Sequence, residues 1–248
     1  MPDFIIETEV NPAAERCAAA AHAAGLRVVR WSPGDAIPRV CDPIFLGSLT
    51  ACGAMPGVVG DPAHLRVSHW LPAVRDIALN ADVMHSTVGA VAEIELPWPR
   101  VFVRPDSAMK PFSGRVLDRG NLSPAALDHG FYYDDLDLPV VLAEARAVAH
   151  EWRFVAVDRR IVAYGGYIAD GRAAADRALP DAALRLAEDA ARRAPEPSIV
   201  IDICALTDGG LRLVEFNLLS GSDLYDCDAA AVVTALAAAR RRTDQSPT

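Results

Sequence analysis

The stretch SIVIDICALTDGGLRLVEFNLLSGSD, Ser198 to Asp223, holds two apolar runs joined at Asp208-Gly209 and then breaks into Ser220-Gly221-Ser222. Asp-Gly between alternating runs signals a tight hairpin. With Asp208-Gly209 as a two-residue loop, Thr207 pairs with Gly210, and stepping back along both strands sets Asp202 opposite Glu215. A four-residue loop with the same centre gives the same pairing. Opposed residues share a face, with Cβ atoms about 4.5–5.5 Å apart. Asn217 falls on that face, diagonal to Asp202, while Ile201, Ile203, Val214 and Phe216 fall on the other, which is expected to meet the core.

Two opposed carboxylates destabilise a hairpin unless something compensates. A shared proton is one answer and a cation is another. Mg²⁺ uses one or two carboxylates together with substrate phosphates, and Asp202, Glu215 and Asn217 offer such an oxygen set. The plainer alternative is that Asp202 and Glu215 each meet an arginine across the sheet. Cys204, on the same face, reads as a small buried hydrophobe.

The surrounding chain bounds the class. Its 248 residues suffice for one large domain or two small ones, and 52% hydrophobic against 23% charged residues allows a sizeable core. A formal charge of -9 argues against a broad nucleic-acid surface. Five cysteines without CxxC or metal spacing suit free thiols in a reducing compartment. The opening MPDFIIETEV has no basic n-region, and no apolar run approaches the roughly 20 residues of a membrane span. The expected setting is cytoplasmic, without a membrane partner, and a homodimer is the default oligomer.

From the N-terminus, Phe4 to Ile6, LRVVRW and DPIFLGSL read as strands around a helix capped by Asn11, opened by Pro12 and stopped at Gly25. That is a small parallel α/β unit. Residues 49–70 show no period, LPAVRDIALNA reads as a short helix, and the chain up to ELPWPR reads as a junction. Then come the strands RVFVRPDS, GRVLD and PVVLAEA, a hairpin in EWRFVAVDRRIVAYGGYI around Asp158-Arg159-Arg160, the helix DAALRLAEDAARRA, and a last helix after Asp226.

FVRPDSAMKPFSGR adds Arg104 at the end of a strand, then Lys110 in a loop with Gly114 and Arg115 close behind, able to close over phosphates; alone it is only an exposed basic loop. Neither GxxxxGK[ST] nor GxGxxG occurs. Glu151 and Arg153 share a strand face. Six scattered histidines and the absence of a Ser-His-Asp or Cys-His pattern argue against a protein nucleophile.

In order, VFVRP, KPFSGRV, PVVLAEA, EWRF and IDIC…VEFN resemble the ATP-grasp fold, most closely the branch named for two arginines and one lysine, over roughly residues 95 to 235. The resemblance implies an α/β (α+β) architecture: a pre-grasp α/β lobe over 1–94, an ATP-grasp domain over 95–240 and a disordered tail over 241–248. It also implies roles. Arg104 and Lys110 would contact ATP phosphates, Glu144 the adenine and ribose, and Arg153 the phosphate or acyl phosphate. Asp202, Glu215 and Asn217 would hold Mg²⁺, while Ser220, Gly221, Ser222 and Tyr167 would approach the acceptor. His64, Arg66 and His69 are further acceptor candidates by position. The implied activity is an ATP-dependent carboxylate–amine ligase for small molecules, amino acids or peptides, working through an acyl phosphate. A kinase of the same fold and a non-catalytic nucleotide-binding module are the alternatives.

Overall fold

The computed structural model describes residues 2–8, 12–55, 58–169 and 179–244, excluding the side chains of 167–169 and 243–244. Asn11, the expected helix cap, and 245–248 of the expected tail lie outside the described residues.

The N-terminal sheet is parallel, in the order β2 (Val28–Trp31), β1 (Phe4–Glu7), β3 (Ile44–Leu46). β1 is buried along its whole length, as expected of a central parallel strand covered on both faces. Between β1 and β2 runs α1 (Pro12–Ala23), which buries Ala13, Ala14, Cys17, Ala18 and Ala21. Their spacing makes one helical stripe, and their small size lets α1 lie close to its neighbours. Gly25 (φ 69) supplies the left-handed residue that ends it.

Two short helices follow, α2 (Leu49–Cys52), capped by the Ser48 hydroxyl, and α3 (Val67–Val74). The sequence pattern starts the second of these at Leu71, but the structure starts it at Val67 and carries Pro72 inside it. The stripe Val67, Trp70, Leu71, Val74 decides the boundary, because those side chains are buried together.

The middle sheet is antiparallel, in the order β4 (Val83–Thr87), β7 (Pro139–Glu144), β5 (Arg100–Pro105), β6 (Arg115–Asp118). β4 lies in the stretch read as junction; its VMHST has only half-buried and exposed positions, so no apolar alternation marks it. The last sheet, also antiparallel, has the order β11 (Leu211–Asn217), β10 (Ile199–Leu206), β8 (Val148–Val157), β9 (Arg160–Ala169). The turn between β8 and β9 places Asp158 (φ 52) and Arg159 (φ 60) in the left-handed region, which matches strand twist in a two-residue hairpin. The outer edge of β11 is covered by residues 77–79: Leu79 N donates to Leu213 O, and Leu213 N to Ile77 O.

One face of this last sheet packs Phe154, Ile199, Ile201, Ile203, Leu213 and Phe216 against α3 and α4 (Asp181–Arg193). The other face packs Val155, Val157 and Val200 against α1 and α5 (Ala229–Asp244). Beyond Val200 that second face turns polar, at Asp202 and Arg153, and there the helices no longer cover it. None of the helices among the described residues is long and apolar enough to cross a membrane.

The β10–β11 register pairs Asp202 with Glu215, as the turn reasoning expects, but by another route. Leu206 N donates to Gly210 O, so the loop is Thr207-Asp208-Gly209, and the near-turn register runs Ala205↔Leu211, Cys204↔Arg212, Ile203↔Leu213. A bulge between Asp202 and Ile203 then takes up Val214. Consequently Val214 does not join Ile201, Ile203 and Phe216 on the core face, as expected from strict alternation; Leu213 takes that place.

Candidate active site

Asp202 lies between Arg153 on one neighbouring strand and Glu215 on the other. Arg153 holds it in a fork: Nε donates to Oδ1 at 2.8 Å and Nη2 to Oδ2 at 2.7 Å. Both groups are buried, at 5% and 1% exposure. The third guanidinium nitrogen donates to Asp223 O at 2.6 Å, and the Arg153 plane sits 4.8 Å from the Tyr225 ring centroid.

Glu215 is held differently. Arg104 Nη1 is 2.7 Å from Oε2, and Lys110 Nζ donates to Oε1 at 2.8 Å and Oε2 at 3.0 Å. Lys110 also donates to Asn217 Oδ1 at 2.7 Å, while Asn217 Nδ2 donates to Asp202 Oδ2 and Glu215 Oε1. The loop reaches this position with Lys110 in a left-handed conformation (φ 43). Each carboxylate therefore does meet an arginine, as the plainer alternative expects, but only Asp202 meets it across its own sheet; Arg104 reaches Glu215 from the middle sheet.

Burial pushes the Asp202 carboxyl up, against the pull of Arg153. Burial acts the same way on Glu215, but the charges of Arg104 and Lys110, with hydrogen bonds from Lys110 and Asn217, outweigh it and bring the carboxyl down to about 2. Glu151 goes the other way: burial first, then Asp202 and Glu215, push it up to about 7, with Arg153 opposing.

Two clefts meet here. A cleft of about 400 Å³ opens between the middle and last sheets, lined by Phe102, Phe112, Glu151, Asp202, Val214 and Glu215 among others. A second, of about 170 Å³, is lined by Leu49, Leu65, Arg153, Asn217, Ser220 and Tyr225 among others. Arg104 and Lys110 line both. A third cavity, of about 430 Å³ near Ile44 and Leu236, contains none of these residues.

The remaining expected residues divide. Ser220, Gly221 and Ser222 line the second cleft. Ser220 also ties the lobes together, since its hydroxyl both donates to Gly47 O and accepts from Gly47 N at 3.0 Å. Gly221 takes φ 83, where an added Cβ would stand 2.9 Å from Leu49. Tyr167 belongs to β9, but its side chain lies outside the described residues. Glu144 is not brought into the site. It shares strand parity with Leu142, on the face packed with Val101 and Val103, and its exposed side chain pairs with Arg146 at 3.9 Å. Arg115 turns to Asp128 and Ala126 O. His64 meets Glu196, and His69 meets Ala63 O; Leu65 is the residue of that segment in the cleft. Phe102 was not foreseen, although it shares parity with Arg104 on β5, which is enough to place it there. Among the described residues, no three His, Cys, Asp or Glu side chains form a metal cluster. The expected oxygen set needs the Asn217 amide as its third member.

Compared by sequence, no curated protein matches the chain. Compared by structure, it is similar to a RimK domain ATP-grasp protein from Sphaerobacter thermophilus (TM-score 0.66, 16% identity, 96% of this chain and 100% of that one). It is also similar to the ATP-grasp ligase PsnB, solved with a precursor peptide and AMPPNP (0.64, 15%, 97% and 98%), and to the D-cycloserine synthetase DcsG (0.65, 13%, 97% and 99%). At these identities the likeness is one of fold. The sequence model of the ATP-grasp domain, family 3 of the clade named for two arginines and one lysine, matches residues 48–236, and the chain belongs to that family.

Proposed function

We propose that this chain is an ATP-dependent ligase that joins a carboxylate to an amine. The observation that carries the reading is the sharing of Arg104 and Lys110 by the two clefts. A nucleotide lying in the larger cleft, with its base beside Phe102 and Phe112, directs its terminal phosphate toward these cations. An acid in the smaller cleft then presents its carboxylate to the same point. PsnB, a ligase solved with a precursor peptide, and DcsG, a D-cycloserine synthetase, lend the class of substrate: amino acids, peptides or similar small acids and amines.

The chemistry suits the inventory. A carboxylate oxygen attacks the γ-phosphorus and ADP leaves; the amine nitrogen then attacks the acyl carbon, phosphate leaves with the C–O electrons, and the amine proton is released. Phosphoryl transfer asks for positioning and charge neutralisation more than for a protein nucleophile. Arg104 and Lys110 supply both, and Arg153 holds Asp202 and the Asp223 main chain at the junction.

The residues fit Mg²⁺. Arg104, Lys110 and Arg153 against Asp202 and Glu215 leave one net positive charge, and Arg146, which also lines the larger cleft, still leaves the set short of a triphosphate. Glu215 and the Asn217 amide oxygen, both now engaged by Lys110, would hold the ion with Asp202 behind them. Bound there, the ion would neutralise phosphate charge. The Lys110 ammonium would then be freed for the phosphates.

Because β4 pairs with β7, the start of the grasp is best placed before residue 83, with the parallel lobe ahead of it. The five free thiols suit a reducing compartment such as the cytoplasm. The test is ADP release from ATP against a library of amino acids and short peptides, with Glu215→Ala as the blank. ADP and phosphate should appear only when acid and amine are both present. Release of AMP and pyrophosphate would exclude the acyl phosphate, and normal turnover by Glu215→Ala would exclude the metal assignment.

A further inference from the structure

The turn after the short helix at Ala125–Leu127 displays two large aromatic side chains whose ring contact is with each other. Phe131 is 79% exposed and Tyr132 71%, with ring centroids 4.6 Å apart at 87°. Val116 and Val148, also exposed, line the nucleotide cleft and so have a reason to be there. Phe131 and Tyr132 line none of the clefts described above.

The display is held firmly. Gly130 N donates to Tyr133 O at 2.8 Å, and Phe131 N and Tyr132 N both donate to Asp128 O. Tyr133 points inward, stacks on Phe112 at 5.8 Å and donates its hydroxyl to Leu127 O at 2.8 Å. Tyr133 therefore does the packing for this turn, and its two neighbours are left as a fixed outer surface.

Asp128 at the start of the turn is paired with Arg115, and the exposed charges beyond it are acidic. His129 and Asp134 close the turn at 3.3 Å, the Asp134 side chain is 90% exposed, and Asp135 and Asp137 are exposed beside Leu136. From Gly120 to Ala145 the chain has no lysine or arginine. Aromatic faces with carboxylates beside them in the same turn attract cations that carry an apolar or planar stem, as arginine and lysine do. The same acids, on a chain of charge -9, repel nucleic acid and anionic lipid.

We infer that the 128–138 turn is a docking surface for a basic segment of a partner polypeptide. The inference stands apart from the ligase reading, because none of these residues touches the phosphate site. The probe is a short fluorescein-labelled peptide of alternating arginine and serine, with its glutamate counterpart as control, measured by anisotropy on the full chain. The arginine peptide should bind about tenfold or more tighter than the glutamate peptide, and weaken as salt screens the aspartates. Phe131→Ser with Tyr132→Ser should loosen it about tenfold, the scale expected for two cation–π contacts. Asp134→Asn with Asp135→Asn and Asp137→Asn should remove most of the salt dependence. Both variants alter exposed side chains and should melt as the parent does, so lost binding would not reflect misfolding. Equal binding of the two peptides, failure of the arginine peptide to bind, or undiminished binding by the aromatic double variant would each overturn the assignment. So would a dimer in sedimentation that the double variant dissolves, since the occupant would then be a second copy.

Discussion

Asp202→Asn tests whether the buried fork is chiefly a strut or chiefly a ligand. The substitution keeps the shape and one acceptor oxygen but removes the charge that faces Arg153 across the sheet, where the two groups are 1% and 5% exposed. Removing one member of a buried ion pair costs about 3–5 kcal/mol, because the other is left charged and dry. Here Asp223 O still accepts from Arg153 at 2.6 Å, which favours the lower end of that range. For a chain of this size each kcal/mol moves Tm by about 2–4 °C, so a fall of about 6–12 °C is expected. Thermal melts with and without saturating ATP and Mg²⁺ separate the roles. A strut loses stability in both conditions by the same amount, whereas a ligand loses mainly the nucleotide-induced rise. Arg153→Met with Asp202→Leu should lose less than the two single changes together, since neither charge is then stranded. A Tm for Asp202→Asn within about 2 °C of the parent, by the same scale, would refute the burial argument.

Two further outcomes follow from the same physics. Glu151, pushed up to about 7 from 4.5, keeps its proton in the folded chain over a range where the unfolded chain has released it. Stability should therefore fall as pH rises from about 4.5 to about 7 and level off above, and Glu151→Gln should flatten that slope in urea melts; an unchanged slope would rule the carboxyl out as its source. Among the five cysteines only Cys41 is exposed, while burial holds the thiols of Cys17 up to about 11 and Cys204 and Cys227 up to about 12. One maleimide should add rapidly to the native chain, and none to Cys41→Ser; rapid labelling of that variant would contradict the burial.

Most of the fold was legible because its strands and helices are periodic and punctuated. The Asp-Gly turn, the Asp158-Arg159 turn and the alanine stripe of α1 each specify one local structure. β4 was not legible: it is an edge strand whose neighbours, not its own residues, make it a strand. That Arg153, Asp202, Glu215 and Asn217 share one face of paired strands was legible from turn register and parity, whereas Arg104, on another sheet, came from the resemblance. Glu144 shows the limit of motif placement, because one step along β7 sends a side chain to the opposite face. The Asp202–Glu215 pairing came out as expected through two offsets that cancel. The loop is one residue longer than the counted one, and Val214 stands outside the ladder.

That bulge separates two demands on one strand. Without Val214, LRLVEFN would read Leu-Arg-Leu-Glu-Phe-Asn, a perfect alternation that still sets the acid opposite Asp202. Val214 is thus supernumerary to the pairing, and its side chain forms part of the floor of the cleft between the sheets. The shape of that cleft floor and the spacing of the acidic pair can consequently be altered independently of each other.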